Sequence, residues 1–156
     1  MYKILIVEDD KALCNNIKEG ISKWNFQGVA VENFEDILQE FGKHNPHLVI
    51  MDINLPYFDG FYWCKKIRDL SNVPIIFLSS RDSNMDIVMA VNMGGDDYVT
   101  KPFSMDILLA KIQALIRRTY AYGQNDGQII ECNGTILNIN DGTLTYNGEK
   151  IELTKN

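Results

Sequence analysis

The sequence predicts an α/β protein with a doubly wound, five-stranded parallel sheet, followed by a short antiparallel β-meander. Short apolar runs alternate with stretches in which apolar residues recur every three or four positions. These are the patterns of buried strands and of amphipathic helices. Five such strand–helix units follow one another within residues 1–120. Because consecutive parallel strands need a crossover, usually a helix, this alternation predicts a parallel sheet covered by helices.

The first unit shows the pattern clearly. Residues 4–7 are an uninterrupted apolar run that ends in acidic residues, as expected of a buried strand. Residues 11–24 carry apolar side chains at helical spacing, and Asp10 directly before them is a suitable N-cap. The later units repeat this pattern. Strands are predicted at 26–31, 48–51, 74–79 and 98–100, and helices at 34–41, 60–70, 82–93 and 104–118.

The pattern changes after residue 118. A polar stretch, 121–128, is predicted as a linker, and residues 129–156 contain short strand-like runs separated by Asn-Gly or Asp-Gly pairs. These pairs favour tight hairpin turns, so the segment is predicted to be a β-meander. A small sheet with one uncovered face would be only marginally stable by itself.

Composition excludes several classes of protein. Fifteen basic against 21 acidic residues give a net charge of −6, which argues against a broad electrostatic grip on nucleic acid or on an anionic membrane. The longest apolar run has five residues, 87–91, far short of the roughly 20 needed to cross a bilayer. The N-terminus lacks the features of a signal peptide, so a cytoplasmic protein without a membrane partner is expected.

Cysteine usage predicts free thiols. Cys14, Cys64 and Cys132 are odd in number and widely spaced, and no C-x-x-C pair is present. Neither a disulfide framework nor a zinc site is therefore indicated.

Polar residues follow the predicted strands at the edge where a functional crevice is expected in such sheets. Glu8 and Asp9 follow the first strand and Asp52 the third, while Ser79 ends the fourth and Lys101 follows the fifth. Each residue alone could be a helix cap, a turn residue or a solvated charge. Together they predict a site in which carboxylates bind Mg²⁺, one carboxylate attacks phosphorus, and the lysine and hydroxyl stabilise the phosphoryl oxygens.

These residues and their neighbours resemble the receiver domain of two-component response regulators of the OmpR/PhoB type, which has a flavodoxin-like fold. The resemblance covers residues 1–120 as a receiver domain. Its motifs are Ile4-Leu5-Ile6-Val7-Glu8-Asp9-Asp10, Asp52-Ile53-Asn54-Leu55-Pro56 running to Asp59-Gly60, Phe77-Leu78-Ser79-Ser80, and Gly95-Asp96-Asp97-Tyr98-Val99-Thr100-Lys101-Pro102-Phe103.

The resemblance implies that Asp52 accepts a phosphoryl group from a sensor histidine kinase. The chain would then be a phosphoacceptor that promotes its own phosphorylation and dephosphorylation rather than an enzyme. The implied metal ligands are Asp9, Asp52 and the main-chain carbonyl of Asn54, with Glu8 acting mainly through a metal-bound water.

The remaining implied roles concern the response to phosphorylation. Lys101 would pair with the phosphoryl group, aimed by a cis bond to Pro102, and Ser79 would move in to bind it. Tyr98 would turn inward with Ser79 and carry the change to the surface. Asn54 and Arg81, each two residues beyond a site residue, would flank the path of the hydrolytic water.

Dimerisation on phosphorylation is implied through the fourth helix, fifth strand and fifth helix. This chain offers the charged residues Asp96, Asp97, Lys111 and Arg118 and the apolar residues Ile87 and Ile107. The two isoleucines stand where the family usually has an ion pair. An apolar contact could replace that pair, the dimer could be weaker or differently built, or the two residues could be buried in the core.

The tail resembles the start of the DNA-binding half of the same family. Residues 129–156 would be the N-terminal sheet of a winged-helix effector domain, and Leu153-Thr154-Lys155 matches the start of its first helix. Promoter binding and transcriptional control are therefore expected only of a longer protein with the recognition helix.

Three other functions fit less well. A phosphohydrolase of the haloacid-dehalogenase type needs an acid two residues after the nucleophile, where this chain has Asn54, and carries its nucleophile on the first strand. A receiver acting as a phosphorylation-independent interaction module usually lacks one of the acids or the lysine. A flavodoxin-like binder of a small molecule needs a glycine-rich phosphate loop after the first strand, which the sequence lacks.

Overall fold

The structure, a computed structural model, describes residues 1–121, 144–146 and 151–153. Its five strand–helix units are β1 (Tyr2–Val7), α1 (Lys11–Ser22), β2 (Phe26–Ala30), α2 (Ile37–His44), β3 (Leu48–Met51), α3 (Gly60–Arg68), β4 (Ile75–Ser79), α4 (Asn84–Asn92), β5 (Asp97–Thr100) and α5 (Met105–Ile116). A π-helical turn, Arg117–Ala121, follows α5. The order of elements is the one that the sequence predicts.

The five strands form one parallel sheet in the order β2-β1-β3-β4-β5. Val7 of β1 lies beside Met51 of β3, and Ser79 of β4 lies beside Thr100 of β5. The residues that follow these strands therefore emerge at the same edge of the sheet. The predicted five-stranded parallel sheet of the flavodoxin-like receiver fold is confirmed.

Alternation along the strands divides the core into two layers. Leu5 and Val7 belong to a buried cluster with Val49, Met51, Ile75 and Phe77 and with side chains of α2 and α3. Ile4 and Ile6 face the other way. A side chain at Gly28 would contact both Ile6 and Ile21, which shows that α1 covers this second face. Both faces of the sheet are buried, as its continuous apolar strands predict.

Short polar side chains set the starts of four helices. Asp10, Asp36, Asp59 and Ser83 each accept a hydrogen bond from the backbone N–H three residues further on. Such N-caps satisfy donors that the helix itself leaves unpaired. The predicted Asp10 cap is confirmed, whereas α2 begins at Ile37 rather than at residue 34 because Asp36 caps it there.

The first helix is shorter than the sequence predicts. It ends at Ser22, and Trp24 lies outside it with 58% of its surface exposed. Asn25 adopts a positive φ of 68°, a conformation that ends regular helix and leads into β2. The predicted helix was too long because Trp24 fits the helical spacing of apolar residues although it lies beyond the end of α1.

The chain divides into two compact units, Met1–Ile112 and Gln113–Asn156. In the second unit, Leu144–Tyr146 (β6) pairs antiparallel with Ile151–Leu153 (β7), on either side of the predicted Asn-Gly turn. The rest of the predicted meander, and the predicted linker beyond Ala121, lie outside the described residues. Among the helices that the structure describes, all are too short or too polar to span a bilayer.

Candidate functional site

Three carboxylates meet at the carboxyl edge of the sheet. Oxygen atoms of Glu8, Asp9 and Asp52 all lie within 4.8 Å of one another. Glu8 and Asp52 are 4% and 5% exposed, whereas Asp9 is open to solvent. The backbone N–H of Asp52 donates to the Val7 carbonyl at 2.9 Å, which fixes the end of β3 against β1. The predicted acidic cluster is thus brought together by strand register.

Lys101 reaches into this cluster from the end of β5. Its Nζ lies 2.5 Å from Glu8 Oε1 and 3.3 Å from Asp52 Oδ2. The bond from Lys101 to Pro102 is cis, as the resemblance implies. The backbone N–H of Lys101 also donates to the Ser79 carbonyl at 2.9 Å, so β4 and β5 together position the ammonium group.

Burial and the close charges act in opposite directions on these groups. Burial raises the pKa of the Glu8 carboxyl, although hydrogen bonds from Lys101 and from the Asp10 N–H oppose it. Burial would lower the pKa of Lys101, but the carboxylates of Glu8 and Asp52 outweigh it and hold the pKa above its usual range. The lysine therefore stays protonated. Its single positive charge does not balance three acids, so the cluster can attract a further cation.

The two oxygens of Asp52 have different surroundings. Oδ1 accepts the backbone N–H of Ile53 at 2.7 Å, whereas Oδ2 faces Lys101. The loop after Asp52 folds back tightly, because the Gly60 N–H donates to the Ile53 carbonyl at 2.9 Å. A Cβ at Gly60 would lie only 2.1 Å from the Asp52 carbonyl oxygen. Only glycine fits at this position, the first residue of α3.

The donor set suits a small divalent cation. Carboxylate oxygens are the ligands that Mg²⁺ prefers, and it commonly keeps several waters. Both oxygens of Glu8 already have partners, Lys101 and the Asp10 N–H. This agrees with an indirect role for Glu8. Asn54 lies in the same loop, two residues after Asp52, with its side chain exposed.

Ser79 and Tyr98 lie on the neighbouring strands. Ser79 is fully buried, and its Oγ accepts the backbone N–H of Arg81 at 3.2 Å. The Tyr98 ring stacks on Phe77 at 6.2 Å, and its hydroxyl donates to the Arg81 carbonyl. Both predicted switch residues therefore contact the loop between β4 and α4.

The predicted dimer residues have varied surroundings. Ile107 is 55% exposed, and Ile87 is half-buried, so burial in the core is excluded for Ile107. Lys111 Nζ and Asp97 Oδ2 form an ion pair of 3.0 Å within the chain. Arg118, in the second unit, donates from Nε to the Ala114 carbonyl at 3.3 Å.

Asp96 already has a partner within the chain, which sequence analysis missed. Its Oδ2 lies 2.7 Å from Arg68 Nη2 and also accepts the Ile75 N–H at 2.8 Å. Arg68 further donates to the carbonyls of Val73 and Gly94, so it joins the end of α3 to the loops before β4 and β5. An arginine that binds Asp96 and these two carbonyls is a structural cross-link, and nothing in its spacing along the chain indicates this.

Comparison with known proteins agrees with this geometry. Residues 4–113 match the response regulator receiver domain family. The whole chain is 47% identical over 156 residues to sensory transduction protein BceR of Halalkalibacterium halodurans and spans 68% of that protein. It is 42% identical over 152 residues, 97% of this chain, to response regulator protein GraR of Staphylococcus saprophyticus subsp. saprophyticus, again spanning 68% of the relative.

Solved structures show the same fold. The N-terminal domain of the nisin resistance regulator NsrR matches with a TM-score of 0.69 and 47% identity, covering 75% of this chain and 99% of that one. The BeF3-activated receiver domain of DrrB matches with a TM-score of 0.69 and 29% identity, covering 75% and 98% respectively.

Proposed function

The chain belongs to the response regulator receiver family of two-component signalling, and we propose that Asp52 is its phosphoacceptor. The observation that carries the proposal is the convergence of three carboxylates within 4.8 Å of one another, two of them contacting Lys101. The donor would be the phosphohistidine of a sensor histidine kinase, the partner class of this family.

In the proposed reaction, Asp52 Oδ2 attacks the phosphorus atom of the phosphohistidine. The new O–P bond forms an acyl phosphate, the P–N bond breaks, and its electron pair returns to the imidazole nitrogen. Lys101 already lies beside Oδ2, so its ammonium is placed to balance the charge on the transferred group. The Ile53 N–H holds the other oxygen and fixes the orientation of the carboxylate.

Mg²⁺ fits the proposed site as its cofactor. Asp9, Asp52 and the main-chain carbonyl of Asn54 would hold it, with Glu8 acting through water. When bound, the ion would offset the repulsion between the acids and the incoming phosphoryl group. Lys101 supplies part of that compensation from within the chain, through its contacts with Glu8 and Asp52.

The proposed output is a change of the α4–β5–α5 face. Ser79 would move to bind the phosphoryl group, and Tyr98 would turn inward as Ser79 moves. These two movements would alter a surface that carries the exposed Ile107. Dimerisation of two receivers through this face is the proposed consequence. In a longer protein, DNA binding and transcriptional control would follow through an effector domain that we propose starts at residue 129, after a receiver of residues 1–120 and a linker of 121–128.

A phosphorylation-independent interaction module is the second candidate. It is disfavoured because the phosphoryl-transfer residues are all present and the lysine contacts the proposed acceptor. The two candidates differ in one measurable property, the covalent phosphoryl group.

Intact mass after incubation with acetyl phosphate tests the proposal. Wild type should gain one phosphoryl group only with Mg²⁺. Asp52→Asn should gain none because it lacks the nucleophilic oxygen while keeping the shape. Asp69→Asn is the matched control, because Asp69 is an exposed acid at the C-terminal end of α3. This variant should behave as wild type. Phosphorylation of Asp52→Asn would refute the assignment, and an unmodified wild type would favour the interaction module.

A further inference from the structure

Arg81 joins three parts of the protein that meet at the proposed site. Its Nη1 donates to Asn54 Oδ1 at 3.4 Å, a long hydrogen bond to the loop after the proposed acceptor. Its Nη2 lies 3.1 Å from Asp86 Oδ1 in the first turn of α4. The guanidinium carbon also lies 5.7 Å from the centre of the Phe61 ring of α3, within the range of a cation–π contact.

The backbone of Arg81 contacts both predicted switch residues. Its N–H donates to Ser79 Oγ, and its carbonyl accepts the Tyr98 hydroxyl. A movement of the Arg81 side chain is therefore coupled to the loop that these two residues hold. Through its backbone and side chain together, Arg81 contacts Asn54, Ser79, Asp86 and Tyr98.

Asp86, the partner of Arg81 on α4, also takes part in the N-terminal cap of that helix. Asp86 Oδ2 accepts the Ser83 hydroxyl at 2.8 Å, and the Asp86 N–H donates back to Ser83 Oγ at 3.1 Å. The Ile87 N–H donates to the Ser83 carbonyl at 3.2 Å. Asp86 thus uses one oxygen for this cap and the other for Arg81, so the cap and the ion pair support each other.

A phosphoryl group on Asp52 would compete with Asp86 for the guanidinium. It carries close to two negative charges and three strong acceptor oxygens, against the single charge of a carboxylate. The guanidinium already reaches Asn54, two residues from Asp52, and 40% of the Arg81 side chain is exposed, which leaves it room to move.

We propose that Arg81 is a positioning residue that exchanges Asp86 for the phosphoryl group on Asp52 and thereby loosens the first turn of α4. The inference rests on the proposed function and adds to it a second route from the site to the α4–β5–α5 face, beside Ser79 and Tyr98. The Asp86 carboxylate is released by this exchange and becomes available at the surface of α4.

Hydrogen exchange of the Asp86 and Ile87 amides, measured by NMR with and without Mg²⁺ and beryllofluoride, tests the exchange of partners. Beryllofluoride serves as a stable analogue of the phosphoryl group. In wild type, both amides should exchange about two- to fivefold faster with the analogue, the range expected for loss of a partly exposed ion pair. In Arg81→Gln and in Asp86→Asn, exchange should be fast already and should not respond further.

Lys43→Gln is the control for loss of one positive charge, because Lys43 is exposed in the last turn of α2. It should respond as wild type does. The double variant Arg81→Gln/Asp86→Asn should match each single variant, since both remove the same pair. A purely structural role would shift the baseline of Arg81→Gln and leave its response to the analogue intact, which would overturn the proposal.

Failure of this inference can be told apart from failure of the proposed function. Phosphorylation of each variant by acetyl phosphate is measured by intact mass in parallel. If wild type gains a phosphoryl group but its Asp86 and Ile87 amides do not respond, the coupling alone is wrong. If wild type gains none and does not respond to beryllofluoride, both proposals are wrong.

Discussion

Cys14 and Cys64 are buried thiols whose pKa values are raised to about 11, because burial disfavours the charged thiolate. At pH 8 the thiolate fraction is therefore about a hundredfold lower than in an exposed cysteine. We expect both thiols to react slowly with a disulfide reagent in the folded protein and to react fully in urea. A Cys132→Ser background confines the measurement to these two residues.

The reactivity of these thiols should keep rising with pH until the pH reaches the raised pKa of about 11. The thiol form prevails below the raised pKa, so the rate should increase about tenfold per pH unit between pH 8 and pH 10. Reaction at pH 8 as fast in the folded as in the unfolded protein would contradict this expectation. It would show that the thiols are accessible despite their burial.

The positions of single site residues could be predicted from the sequence only where a strand delivers them. Asp52 and Lys101 directly follow strands, so their arrival at one edge follows from the parallel topology. The pairs Arg81–Asp86 and Arg68–Asp96 join residues in different elements through long side chains. Such side chains have many rotamers and leave no periodic pattern, so only coordinates reveal these pairs.

At the scale of elements, the start of α3 is tied to the site through Gly60. Gly60→Ala places a Cβ 2.1 Å from the Asp52 carbonyl oxygen, so the loop or the helix must shift. We expect a loss of about 3 kcal/mol in the free energy of unfolding and a reduced yield of phosphorylation. Denaturant unfolding and intact mass after acetyl phosphate treatment measure the two effects.

Gly42→Ala is the matched control for this change. Gly42 lies within α2, and a Cβ there would meet nothing within 4 Å. Because alanine favours helix over glycine, this variant should gain about 0.5 to 1 kcal/mol and should be phosphorylated as wild type. Equal stability of the two alanine variants would contradict the close approach of Gly60 to Asp52.

Element boundaries show where sequence patterns suffice. The predicted β3 matches the structure at both ends because all four of its residues are buried and apolar. The predicted α4 was longer than the observed Asn84–Asn92, because Ser83 caps the helix. Apolar spacing continues past the C-terminal end of α4 to Met93, whereas at the N-terminal end the competition among polar residues for the cap decides the boundary.

At the scale of the whole molecule, Ile107 is the residue that best tests the proposed dimer. It is 55% exposed on α5. Ile107→Asp should weaken dimerisation in the presence of Mg²⁺ and beryllofluoride by about tenfold or more, because a charge would replace an apolar contact at the proposed interface. Sedimentation velocity over a range of concentrations measures the dissociation constant.

Leu70→Asp provides the comparison for this dimer test. Leu70 is also exposed and apolar, but it lies after α3, outside the proposed interface. It should leave the dissociation constant unchanged. A dimer weakened equally by both substitutions would point to nonspecific association, and a dimer unaffected by Ile107→Asp would place the interface elsewhere.

The order of strands in the sheet also determines when the acidic cluster is completed during synthesis on the ribosome. Synthesis proceeds from the N-terminus, so β1 and β3 leave the ribosome before β5 does. Glu8, Asp9 and Asp52 can meet once β3 has paired with β1, whereas Lys101 arrives only with β5 at the far edge. A nascent chain that ends between these strands carries the three acids without their internal cation. At that stage, counter-ions from solution must offset part of the repulsion between the acids.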